Sequence, residues 1–149
     1  ARLSRFANSS TGNRVRWEIE LFFLVLKEGC RVERLQLGDS DRLQTALALY
    51  MVIAWRINRL MRLGRALGEL PVDLVFETDE SKAAFILNAK PVPTKVPELN
   101  TVVRLIAQRG GFLVRKGDGE PGAKSICLGR QDMAVFVEGI RYARQAGGI

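Results

Sequence analysis

The sequence predicts a mainly α-helical protein, and three observations carry that expectation. Apolar residues recur every three to four positions in four separate stretches, the spacing of a helix with one buried side. Glycines fall just past three of those stretches, at Gly29, Gly110-Gly111 and Gly147-Gly148, where a helix end favours them. Regular alternation of the kind a strand needs is confined to short segments.

Residues 1–13 are rich in Ser, Asn, Thr and Gly and read as a flexible lead-in. Residues 14–29 then read as a helix. At 3.6 residues per turn, Arg16, Glu20 and Lys27 fall at roughly 0°, 40° and 20°, one polar stripe. Ile19, Phe22, Phe23 and Leu26 supply an adjoining apolar side. A carboxylate between two cations suits an intrahelical ion-pair face. That is the commoner use of such a stripe; the same spacing also suits an acid that binds a metal beside cations that bind phosphate.

Residues 31–38 alternate apolar and polar and read as a short extended segment or a turn, ending at Gly38. Residues 39–65 predict a long helix capped by Asp39 or Ser40, with Asp41 in its first turn. Leu43, Leu47, Tyr50, Ala54, Ile57 and Met61 share one side. The ten residues from Ala46 to Trp55 are all apolar, which predicts burial nearly all round. Arg56, Arg59, Arg62 and Arg65 follow, either as a phosphate-binding row or as a basic helix end.

Residues 66–81 hold five acids and no Lys or Arg, and mark an expected boundary between two units. Thr78 predicts the cap of a short helix to about Asn88. The segment Lys90-Pro-Val-Pro-Thr-Lys-Val-Pro97 is a stiff connector. Pro97 is expected in the first turn of the next helix, which Leu99, Val102, Val103 and Ile106 turn inward. Phe112–Arg115 and Ser125–Leu128 predict a hairpin around residues 117–125. That loop lacks the Gly-Lys-Ser/Thr ending of a phosphate loop, so no nucleotide cofactor is expected. The last helix is expected from about Arg130 to Gln145, with Met133, Phe136, Val137, Ile140 and Tyr142 as its apolar positions.

Composition narrows the partners. The 149 residues carry a net charge of +7 with no histidine, which favours a polyanion and excludes imidazole chemistry. The excess is uneven: residues 1–65 hold 12 basic against 6 acidic side chains, residues 66–149 hold 11 against 10. Cys30 and Cys127 form no metal pair or disulfide framework and suit a reducing, cytoplasmic compartment. The ten-residue apolar run is too short to span a bilayer, so no membrane is expected.

Several stretches, in order, resemble the DDE transposases of bacterial insertion sequences, the transposon-five transposase-like group. That family's signature is Y-x2-R-x3-E-x6-K, and it falls here on Asn13, Arg16, Glu20 and Lys27. Three positions match; Asn13 stands where the family has tyrosine. The words Arg-Trp-x-Ile-Glu-x-Phe-Phe, Leu-Lys-x-Gly-Cys, Glu-x-Leu-Gln-Leu, Ala-x-Tyr-x-x-x-Ala-Trp-Arg-Ile and Arg-Lys-Gly-Asp-Gly-Glu-Pro-Gly extend the likeness to about residue 146. The resemblance implies that residues 14–65 are the last helices of an RNase H-like catalytic domain. It implies that residues 66–149 are a helical dimerisation domain, so a homodimer. Glu20 would be the third catalytic carboxylate and a ligand of Mg²⁺ or Mn²⁺. Arg16 and Lys27 would contact the phosphates of transposon-end DNA in a bacterial cytoplasm. The chemistry needs two further aspartates before that glutamate, and the 19 residues ahead of Glu20 contain none. The chain alone is therefore expected not to cleave DNA. The alternative is a non-catalytic dimerising protein that inhibits full-length transposase.

Overall fold

The computed structural model describes residues 16, 18–29 and 39–147. Among the described residues it holds helices and no strand, so the mainly α expectation stands. Residues 18–24 form α1, which runs into a π turn at Val25–Gly29. Then come α2 (Ser40–Ala66), a 3₁₀ turn (Val72–Leu74), α3 (Thr78–Leu87), α4 (Leu99–Arg109) and α5 (Ala123–Gln145). The chain divides into two compact units, Ala1–Asn58 and Arg59–Ile149, and the division falls inside α2. Asn13, Cys30 and the segment 31–38 lie outside the described residues.

In the first unit α2 starts as its sequence dictates. The Asp39 carboxylate accepts the Asp41 backbone N–H at 3.2 Å, satisfying one of the donors a helix start leaves open. The expected burial of Ala46–Trp55 does not occur. Ala54 is buried, but Leu49, Met51, Val52 and Trp55 are exposed, as are Leu43 and Leu47. One helix in one chain can turn only one side inward. Likewise in α1 and its π turn, Val25 and Leu26 are buried while Ile19 and Phe23 face solvent.

The second unit has a closed core. Leu60 and Met61 from α2, Phe76, Ala83 and Phe85, Val102 and Ile106 from α4, and Ile126, Met133 and Val137 from α5 are all buried. Each large side chain removed from water contributes about 1.5–3 kcal/mol. α4 packs against both α3 and α5. The α4–α5 approach is backbone to backbone. A Cβ built on Gly129 would lie 1.7 Å from the Ile106 carbonyl oxygen, and one on Gly110 would lie 1.9 Å from that of Ser125. Only glycine fits at either point.

Main-chain bonds fix the connector. Val72 N–H donates to the Pro97 carbonyl at 3.0 Å, and Leu99 N–H to that of Leu70 at 2.8 Å. Asn88 Nδ2 donates to the carbonyls of Ala84 (2.8 Å) and Leu105 (3.0 Å), tying the end of α3 to α4.

Four expectations need correction. Residues 112–115 and 125–128 form no hairpin: α5 already begins at Ala123, and Gly129 lies inside it as a contact point. Glu77, not Thr78, caps α3, in a reciprocal box with Glu80. Pro97 stays outside α4, because its carbonyl is engaged by Val72. Tyr142, grouped with Met133 and Val137 as an apolar position of the last helix, does not share their burial and is 74% exposed.

Candidate functional site

Arg16 lies just ahead of α1, Glu20 within it and Lys27 in its π turn. Arg16 Nε lies 3.2 Å from Glu20 Oε1, an i,i+4 pair whose side chains are 81% and 61% exposed. Lys27 is exposed within the π turn. A π turn closes i→i+5 rather than i→i+4, so Lys27 leaves the azimuth an unbroken α-helix would give it. The sequence carries no signal for that widening.

Divalent ions of the magnesium type need several oxygen ligands. Among the described residues no three carboxylate, thiol or imidazole side chains stand together as such a shell. Three of the aspartates have other work. Asp39 caps α2, Asp118 accepts the Arg115 N–H at 2.7 Å, and Asp132 pairs with Arg109 at 3.1 Å. Glu20 lies beside Arg16 and, among the described residues, stands in no such group.

The arginines Arg56, Arg59, Arg62 and Arg65 are all exposed along α2. No helix of the described residues is long and apolar enough to cross a membrane.

The acidic stretch before and within α3 has an intramolecular counterpart that sequence reasoning missed. Asp79 takes a two-pronged contact from Arg144, at 2.6 and 3.2 Å. Glu77 pairs with Arg141, and Glu80 with Arg130 at 3.4 Å. The Arg130 guanidinium also sits 5.5 Å from the Phe76 ring centroid, within cation–π range. The hydrogen bond from Arg144 holds the Asp79 carboxyl below its ordinary pKa of 3.8, with Lys82 and Arg141 adding to the effect. These partners lie some fifty to sixty-five residues apart in the chain, beyond any local spacing rule.

With its arginines and core residues turned to α3 and α4, α5 presents another side outward. Leu128, Val135 and Tyr142 recur there at seven-residue spacing. Leu128 is half-buried, Val135 is 72% exposed and Tyr142 is 74% exposed. Gly139 lies between the last two, with no atom within 4 Å of the Cβ it lacks. An apolar row at heptad spacing, with a smooth patch in its middle, is the surface one helix offers to another. Sequence reasoning missed this row; its seven-residue spacing is the local signal that could have found it, but the spacing does not say that the row faces solvent.

Residues 52–148 match the family model described as the transposase Tn5 dimerisation domain, more than half of the chain. No curated protein matches the chain.

Proposed function

Because the chain belongs to the Tn5 transposase dimerisation-domain family, we propose that it pairs two protomers through the outward face of α5. The carrying observation is the row of half-buried Leu128 and exposed Val135 and Tyr142, with open space at Gly139. Helices crossing at a glycine come close enough for the flanking apolar side chains to interdigitate. A symmetric pair uses the same patch twice, so each substitution acts twice.

Light scattering across a dilution series tests this. The expected mass is twice the chain's 16.6 kDa at high concentration. Tyr142→Asp should weaken the pair by about 30-fold or more, the scale of an interface hot spot. An unchanged mass in Val135→Asp/Tyr142→Asp would assign the contact to another surface.

Within a whole transposase we propose that Glu20 acts as one carboxylate of a metal centre and that Arg16 and Lys27 hold transposon-end phosphates. The support is the match of residue type and spacing to the family signature, together with the exposure of all three side chains. Lys27→Ala should lower DNA affinity equally across sequences, read by titration of unrelated duplexes. A loss confined to one sequence would contradict a phosphate role.

A further inference from the structure

The loop between α4 and α5 has a construction that dimerisation through α5 does not use. Arg104 pins its two ends. The guanidinium lies 5.8 Å from the Phe112 ring centroid, donates to the Gly119 carbonyl at 3.0 Å, and faces Glu120 at 3.9 Å. The Asp118 carboxylate accepts the Arg115 N–H and closes the turn. Between these anchors Leu113 is 64% exposed and Val114 41% exposed.

Val114 has φ +53°, a left-handed conformation that is a genuine outlier for a β-branched residue. The surroundings hold it there, and such outliers cluster at binding sites. Arg115 and Lys116 follow directly, and Lys124 lies in the first turn of α5; all three are exposed. Both nearby carboxylates have partners, Asp118 on a backbone N–H and Glu120 opposite Arg104. An apolar pair beside cations is the chemistry of a side chain wedged against DNA bases with phosphates clamped alongside.

We propose that this loop is a DNA-contact surface of its own, with Leu113 and Val114 against the groove and Arg115 and Lys116 on the flanking phosphates. It rests on the reading that the chain works on DNA and adds a contact away from Arg16 and Lys27.

The test is binding of the full chain to a labelled duplex of mixed sequence across a salt series, with solution mass measured on the same samples. Removing two phosphate contacts in Arg115→Ala/Lys116→Ala should reduce the slope of log affinity against log salt by about 2. Val114→Gly suits the observed φ, so its thermal midpoint should hold or rise while affinity falls several-fold. Unchanged slope and affinity in both variants overturn the proposal while leaving Lys27 and Arg16 as the DNA contacts. Failure of the unmodified chain to bind any duplex overturns both readings. A lowered solution mass in either variant overturns it as well, by making the loop a contact between copies.

Discussion

The two halves of the molecule treat the same kind of side chain in opposite ways. Leu99, Val102, Ile106, Ile126 and Met133 in the second unit are at most 2% exposed. Phe23, Leu49, Val52 and Trp55 in the first are more than half exposed. Composition does not separate them, since both halves carry helices with long apolar stretches. What separates them is the number of helices available to cover each face. α3, α4 and α5 close on one another, so the second unit holds its own core. The helices of the first unit keep a large apolar surface in contact with water, which is the signature of a surface awaiting a partner.

The sharpest way to break this comparison is to truncate one side chain in each half. Ile106→Ala should cost about 2–5 kcal/mol through lost burial and a residual cavity. Leu49→Ala should stay within about 0.5 kcal/mol. Denaturant titration reads both, and equal costs would show that the first unit is buried in solution. Next in size is Gly129→Ala, whose Cβ meets a carbonyl oxygen at 1.7 Å. A cost near 3 kcal/mol is expected, the upper part of the overpacking range. Gly139→Ala, on the open side of the same helix, should leave monomer stability level or slightly raised.

Glu80→Gln should cost about 1–2 kcal/mol. It weakens the contact with the partly buried Arg130 while its amide can still serve the cap at Glu77. The smallest effect concerns acid. The folded-state pKa of Asp79 lies below 3.8, so its contribution is present above that value and is lost as pH falls through the folded pKa. The thermal midpoint of Asp79→Asn should therefore fall below that of the unmodified chain at pH 6, and the gap should close as the pH falls through the folded-state pKa. The gap at pH 6 should narrow with salt, as an exposed pair requires.

What could be read in advance follows from the range of the forces. The start of α2 was legible because Asp39 acts on a backbone group two residues away. The inner side of α4 was legible because its period is local. The start of α5 was not, because glycines at 117, 119 and 122 read as a loop, and residues 125–128 after it as a hairpin strand ahead of a helix from about Arg130. Gly129 breaks nothing; it is required by Ile106, which lies far from it in sequence. The pairing of Arg141 and Arg144 with the acids of α3 is hidden for the same reason. As for the candidate site, the heptad of Leu128, Val135 and Tyr142 is a local pattern, but which side of a helix meets water depends on every neighbour.

The Gly110–Gly129 crossing also acts as an angular key. If α5 slid along α4 by one residue, Leu128 or Arg130 would have to enter a gap that rejects even a methyl group. Such a slide would also turn the helix by about 100°. The bearing of Val135 and Tyr142 is thus set from the opposite flank of the helix, by a place where there is no side chain at all. Two protomers meeting along that row would inherit their mutual angle from it, as two keys cut from one blank share a notch.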